Sequence, residues 1–320
     1  MKDEQAKIVV GVDFSHESET AVQQALAICR RRGLELVLVH ADQVVELPSL
    51  SDSPAPIVRE AVDTYRAQLA RSLDELRDRL ADLRERLSDQ GVTVSIVMVE
   101  DGAASGICAV AAEVQAKLTV VGAHGGGGVP WLPVGNVATG VVRISETDVL
   151  VARPSRGGRH DYRMIVVGTD FSASAERALE VAIDLASPGA QIDVVHCASM
   201  RPAVHGGFGV VEPLPRDLRQ ALADDIRIQG EQLLARKRRD AVSLSFHVSS
   251  DRPAPGLSHW ADTRSCDLLA TGSHGRRGVR RLILGSVAES MLKRAPCSVL
   301  VAHGLPDSVK SSSGSNPMPR

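Results

Sequence analysis

An internal duplication constrains this chain more than any other feature. The block Ile8-Val-Val-Gly-Val-Asp-Phe-Ser15 recurs as Ile165-Val-Val-Gly-Thr-Asp-Phe-Ser172. Further on, Val121-Gly-Ala-His-Gly125 recurs as Thr271-Gly-Ser-His-Gly275, and Asp148-Val-Leu-Val-Ala152 recurs with one change as Ser298-Val-Leu-Val-Ala302. The blocks keep their order, and the period of roughly 150 residues is too long for a solenoid repeat. It describes a domain copied whole, and a chain of 320 residues has room for two domains of ordinary size. The expected domains are residues 5–153 and 162–303. They meet at Ala152-Arg-Pro-Ser-Arg-Gly-Gly-Arg-His-Asp161, where Pro, Gly and charge interrupt the pattern. Residues 304–320 are rich in Ser, Pro and Gly and read as a disordered tail.

Within each half, strand and helix patterns alternate. Lys7–Asp13 is a short β-branched run, the mark of a buried strand. Glu17–Arg31 places Ala21, Val22, Ala25, Leu26 and Cys29 on one helix face, and Gly33 stops it. Leu34–His40 is the second strand. A Pro/Ser-rich loop, Leu47–Pro56, leads to a long helix over Ile57–Ser88, whose Leu69, Leu73, Leu76, Leu80, Leu83 and Leu87 form a single apolar stripe. One stripe fits a helix packed on its own sheet better than a coiled-coil partner site. The pattern then predicts strands Val92–Glu100, Leu118–Gly122 and Asp148–Ala152, with helices Ala104–Gln115 and Gly135–Ile144 between them. The second half follows the same order and ends in strand Ser298–Ala302. Alternating units with continuously apolar strands imply a doubly wound α/β domain in each half, with a five-stranded parallel sheet covered by helices on both faces.

Composition narrows the function classes. Lys plus Arg number 37 against 39 Asp plus Glu, a net charge of −2, which argues against a general nucleic-acid binder. Aromatics at 2% leave little for base stacking. No apolar run reaches the ~18–20 residues of a membrane helix. Met1–Lys7 is charged with no apolar stretch behind it, unlike a signal peptide, so a cytoplasmic location is expected. The five cysteines are widely spaced and include no CxxC pair, which reads as reduced, mostly buried thiols rather than a disulfide framework or a zinc site.

In doubly wound folds ligands bind beyond the carboxyl ends of the strands, where strand order reverses. There the second half carries Gly272-Ser-His-Gly275 and, after nine residues, Gly285-Ser286. Glycines let main-chain N–H groups approach an anion, and a helix beginning at Ser286 would add its positive end. Arg276, Arg277, Arg280 and Arg281 lie in the intervening loop and either neutralise phosphate or solvate the loop. The plain structural alternative is that Ser286-x-x-Glu289 is a capping box and the glycines only make a turn. Asp13 and Asp170 end the first strands, placed to bond a base or ribose, or merely to cap the next helix. His40 and His196 end the second strands and read as structural, whereas His124 and His274 lie in the glycine loops.

Taken together, the Val-Gly-Val-Asp-Phe-Ser and Val-Gly-Thr-Asp-Phe-Ser motifs, the two glycine loops and the valine-rich last strands resemble the universal stress protein family in its tandem two-domain form. The resemblance implies a Rossmann-like α/β domain with strand order 3-2-1-4-5 in each half. It also implies an ATP site of pattern G-x2-G-x9-G-[ST], usually with a divalent ion such as Mg. On that pattern Asp170, the backbone of Cys197, Gly272, His274, Gly275, Gly285, Ser286 and Val287 would hold the nucleotide in the second half. In the first half Asp13, Ala41, Gly122, Gly125, Gly135 and Asn136 fall at the same positions. There Asn136 replaces Ser/Thr, though Asn can still cap a helix. The loop Gly126-Gly-Gly-Gly-Val-Pro-Trp-Leu-Pro133 holds no basic residue, and Thr139, Gly140, Val141 and Val142 make a poor helix. The second domain is therefore expected to be the stronger nucleotide site. The resemblance further implies an internal pseudo-dimer packed through the last strands, and a homodimer of whole chains.

No GxSxG elbow, GxxxxGK[ST] loop or HExxH motif is present, so a regulatory ATP-binding role is expected, with at most slow hydrolysis. The alternative is an interaction scaffold or apolar-ligand binder of the same fold, using the loops Val44–Pro56 and Ala203–Pro215.

Overall fold

The structure is a computed structural model and describes residues 5–42, 55–125, 134–155, 157–198, 215–275 and 284–303. The arginine loop at 276–281, the glycine run at 126–133, most of both apolar loops and the 304–320 tail lie outside the described residues.

The first half opens with β1 (Lys7–Gly11), whose Ile8, Val9 and Val10 are buried. Helix α1 (His16–Arg32) starts where the Ser15 side chain accepts the Ser18 N–H, and it ends at Gly33, whose φ of 63° is the left-handed geometry that glycine adopts without strain. The chain continues through β2 (Glu35–Ala41), α2 (Pro56–Ser88), β3 (Val94–Val99), α3 (Ala103–Glu113), β4 (Leu118–Gly122), α4 (Asn136–Ile144) and β5 (Val149–Ala152). Despite its poor composition, α4 forms, because Ala138, Val141 and Val142 are buried on one face. Burial outweighs intrinsic propensity there. The Leu stripe of α2 packs on its own sheet, with Leu80 and Leu87 in the core and Leu76 and Leu83 against it.

The second half repeats the order: β6 (Tyr162–Gly168), α5 (Ala173–Leu185), β7 (Ala186–Cys197), α6 (Arg216–Lys237), β8 (Val242–Ser249), α7 (Pro253–Thr263), β9 (Leu268–Gly272), α8 (Ser286–Arg294) and β10 (Ser298–Ala302). Here α5 ends at Leu185 and β7 follows it directly, accommodating Gly189 at φ 77°.

All ten strands form one sheet in the order β3-β2-β1-β4-β5-β10-β9-β6-β7-β8. Each half has the expected 3-2-1-4-5 order and is parallel throughout. The halves join where β5 and β10 pair antiparallel, with Leu150 opposite Leu300. Each last strand would otherwise present an unpaired edge, and pairing the two removes both. The inner strands are buried on both faces, and each face carries one core that runs across the joint. One core includes Ile8, Leu36, Leu150, Ile165, Leu179 and Leu300 beneath α1, α2, α5 and α6. The other includes Val9, Val37, Val149, Val166, Leu257 and Met291 beneath α3, α4, α7 and α8.

Polar contacts lock the same joint. Buried Asp148 accepts Arg177 Nε at 3.1 Å and a second guanidinium N–H at 2.8 Å on Oδ2, and the His303 backbone N–H at 2.9 Å on Oδ1. Across the pseudo-twofold, Tyr162 donates to Gln24 Oε1 at 2.7 Å and Ser298 donates to the same oxygen at 3.1 Å. Each half also holds the end of the other's last helix. Arg153 donates to the Leu292 carbonyl of α8 at 2.6 Å, and His303 Nε2 lies 3.1 Å from the Val142 carbonyl of α4.

Candidate functional site

The order reversal in each half falls between its first and fourth strands, and a cavity opens there at their carboxyl ends. In the first half, β1 leads into Val12-Asp13-Phe14-Ser15, with Phe14 at φ 60°. Asp13 Oδ1 makes this turn possible by accepting the Ser15 N–H at 2.9 Å. The second half repeats it: Phe171 stands at φ 62°, and Asp170 Oδ1 accepts the Ser172 N–H at 3.0 Å. Each aspartate thus shapes the turn with one oxygen. The other oxygen leans over a glycine: a Cβ added at Gly125 would meet Asp13 Oδ2 at 2.5 Å, and one at Gly275 would meet Asp170 Oδ2 at 2.7 Å. A side chain at either glycine would displace the carboxylate. Gly122 and Gly272 are less forgiving, because a Cβ there would lie 2.7 Å from the backbone of Glu17 or Ser174, which cannot swing aside.

The helices that close the cavities begin at Asn136 and Ser286, with Gly135 and Gly285 in the cap positions. Neither cap makes a side-chain hydrogen bond. This corrects the capping-box alternative. Ser286 is the first helical residue rather than the cap, and the Glu289 carboxylate turns away, to Lys293 at 2.8 Å and Arg143 at 3.8 Å. Asn136 is likewise inside its helix and does not cap it. Both caps are anchored from behind: the Gly135 N–H donates to the Ala123 carbonyl at 2.7 Å, and the Gly285 N–H to the Ser273 carbonyl at 2.8 Å. Two helix amino ends are therefore held at fixed positions on the cavity walls without side-chain caps.

The first cavity has a volume of about 320 Å³, and Asp13, Ala41, Gly122, Gly125, Gly135 and Asn136 all line it. The second, of about 260 Å³, is lined by Asp170, Cys197, Gly272, His274, Gly275, Gly285, Ser286 and Val287. The structure thus gathers every candidate residue into two equivalent places. His124 and His274 line the cavities as well. His274 Nδ1 is 3.0 Å from Ser273 Oγ, and its buried Nε2 has no hydrogen-bond partner among the described residues. His40 and His196 are structural in their bonding. Their Nδ1 atoms sit 2.7 Å and 2.8 Å from the carbonyls of Val12 and Thr169, and a carbonyl requires the ring nitrogen to donate. The His196 ring also stacks on Phe171, with centroids 5.0 Å apart. Burial pushes the Cys197 thiol up to about 11, so it meets the cavity as a neutral group.

Motif reading missed the apolar wall. Ile107 of α3 lines the first cavity, and Leu257 and Pro253 of α7 line the second. The available signal was positional: Gly11 and Gly168 end the first strands, and a Cβ at either would meet Ile107 or Leu257 at 2.7 Å or 2.6 Å. Among the described residues, no group of three or more His, Cys, Asp or Glu side chains is arranged to hold a metal, and no helix is long and apolar enough to cross a membrane.

The fold and its paired cavities define a class: two doubly wound α/β domains fused into one sheet, each with a glycine-lined pocket at its switch point. The sequence profile of the universal stress protein family matches residues 6–153 and 161–303, and the chain belongs to that family, in the tandem form with two such domains. Universal stress protein Rv1996 of Mycobacterium tuberculosis is 29% identical over 311 residues, covering 92% of this chain and 94% of that protein. A universal stress protein of Mycolicibacterium smegmatis is 24% identical, covering 92% and 96%. A stronger local match, 38% over 153 residues to Rv2005c of Mycobacterium tuberculosis, spans 47% of this chain and about half, 46%, of that protein. Among solved structures, a universal stress protein from Archaeoglobus fulgidus superimposes with a TM-score of 0.62 at 18% identity, covering 95% of this chain and 99% of that one, which shows a shared fold.

Proposed function

We propose that this universal stress protein binds adenine nucleotide, with ATP in the second cavity more tightly than in the first, and acts through the conformer that ATP selects. The carrying observation is the pair of glycine-lined cavities, each flanked by a helix amino end without a side-chain cap. Backbone N–H groups and the positive end of a helix suit phosphate. The apolar walls from α3 and α7 suit the flat face of a base. Volumes of about 320 and 260 Å³ match the nucleoside part, with the phosphates lying along the glycine turns.

A divalent ion such as Mg²⁺ is compatible with these residues. It takes oxygen ligands, mostly phosphate and water, and needs only one or two from protein. Asp170 and the Ser286 hydroxyl are among the side-chain oxygens on the second cavity wall. When bound, the ion would offset phosphate charge. The protein's own part is to position the nucleotide: glycines permit close approach, Asp170 fixes the turn, and Leu257 closes the base side. The second cavity is ranked first because Ser286 supplies a hydroxyl where the first has Asn136, and because the 276–281 segment carries four arginines. Binding energy used for one conformer stabilises it by mass action. The role proposed is thus regulatory, in the cytoplasm and as a homodimer of chains, with at most slow hydrolysis.

The test is calorimetric titration of ATP with Mg²⁺ into wild type and two matched pairs of variants, Ser286→Ala with Asn136→Ala, and Gly285→Val with Gly135→Val. Losses of tenfold or more at Ser286 and Gly285, with smaller ones at Asn136 and Gly135, support the ranking. Equal losses in both halves overturn it.

A further inference from the structure

The sulfurs of Cys266 and Cys297 lie 3.2 Å apart, and both residues are buried. That is about 1 Å beyond a covalent S–S bond. Cys266 precedes β9, and Cys297 immediately precedes β10, at the sheet end opposite the second cavity. The duplication shows that the fold does not require this pair. The register that aligns Leu118 with Leu268 and Val149 with Val299 places Ala116 and Thr147 at these positions in the first half. There the corner is tied by hydroxyls instead, with Thr147 Oγ1 at 2.6 Å from Thr119 Oγ1 and 2.9 Å from Ser145 Oγ.

We propose that Cys266 and Cys297 form a peroxide-responsive dithiol that closes to a reversible disulfide. In the first step one thiol gives up its proton and its sulfur attacks a peroxide oxygen, the O–O bond breaks, the leaving hydroxide takes that proton to become water, and sulfenic acid forms. In the second step the neighbouring thiol attacks the sulfenic sulfur, the S–S bond forms, and the hydroxyl leaves as a second water. Two thiols lose two electrons and two protons in total, and one hydrogen peroxide becomes two waters. A thiol reductant reverses the reaction by exchange.

The geometry favours this pair over the other cysteines. The partner thiol is already within reach, so the sulfenic acid is captured before further oxidation. Burial pushes Cys29 up to about 12 and Cys108 and Cys197 up to about 11, away from thiolate character at neutral pH. The bond would close a loop containing β9, the Gly272–Gly275 turn and α8, the elements that frame the second cavity. Closing a loop of that length raises stability by restricting the unfolded chain.

The test treats the native full-length chain with hydrogen peroxide, blocks remaining thiols after denaturation, and measures intact mass and non-reduced peptides. The expected result is loss of two hydrogens, three blocked thiols, a single Cys266–Cys297 cross-link, a Tm about 5 °C higher, and full reversal by dithiothreitol. Cys266→Ala and Cys297→Thr, residues the first half already carries at these positions, should keep four blocked thiols each. Five blocked thiols in treated wild type overturn the proposal. So does gain of oxygen mass at either cysteine, or a cross-link to Cys29, Cys108 or Cys197. The wild-type peptide map decides the matter if a variant fails to fold.

Discussion

Replacing Asp148 by Ala should loosen the joint between the two halves, and the cost can be worked from its contacts. The Asp148 side chain is 4% exposed and binds Arg177 across the joint. A fully buried pair broken on one side costs about 3–5 kcal/mol. Arg177, however, is 32% exposed and keeps Glu180 at 3.6 Å, so solvent and a second carboxylate absorb most of that, leaving about 1 kcal/mol. The half-buried His303 N–H loses its acceptor, which adds about 1 kcal/mol. The sum is about 2 kcal/mol, or a Tm lower by about 3 °C for a chain of this size. Asp148→Asn should cost about half as much, because it keeps an acceptor for His303. Burial raises the Asp148 carboxyl above its ordinary range against the pull of Arg177 and His303, so the charge itself is a net burden and its removal gives some stability back. Urea unfolding of wild type, both Asp148 variants and Asp74→Ala, whose pair with Arg77 is exposed on α2, measures the ordering. An Asp148→Ala midpoint equal to that of Asp74→Ala refutes the reasoning, as does Asn costing as much as Ala.

Two further outcomes follow from the same contacts. Burial, the largest effect, pulls the His303 imidazole below its usual 6.5, so the unfolded chain binds the proton first as pH falls. Stability should therefore drop as pH goes below about 6.5, and thermal melts of His303→Asn should show a flatter profile between pH 7 and pH 5. A parallel profile in the two proteins contradicts this. Gly275→Ala should displace the Asp170 carboxylate, since the new Cβ would lie 2.7 Å from its Oδ2. ATP affinity should fall at least tenfold while Tm moves by only a few degrees; unchanged affinity would remove Asp170 from the site.

The strands were legible because a buried parallel strand leaves an unbroken β-branched run, as in Ile8-Val-Val and Ile165-Val-Val. The glycine positions were legible because steric exclusion permits little else where a strand end touches the next helix, as at Gly122 and Gly272. Strand and helix ends were less so. The expected Lys7–Asp13 strand stops at Gly11, because Asp13 and Phe14 are taken by the turn. The capping-box pattern at Ser286 misled, because Lys293 and Arg143 compete for Glu289, and only one of them is near in sequence. Contacts between the halves leave no local mark: Gln24 meets Tyr162 and Ser298, and Arg153 meets Leu292. Nor does spacing reveal the sulfur pair at Cys266 and Cys297. The same holds for Asp193, a buried carboxylate in an apolar strand. It is held by Arg264 at 2.8 Å and by Trp260 at 3.1 Å, side chains supplied by α7 and the turn after it. The corresponding first-half residues Val37, Val110 and Val114 form an ordinary apolar contact.

The account rests on the two glycine-lined cavities being nucleotide sites. Equilibrium dialysis of the wild-type chain against ATP with Mg²⁺ tests that most directly. The account predicts saturable retention, with one nucleotide per chain held tightly and a second held more weakly. Failure to retain any ATP at millimolar concentration would contradict it.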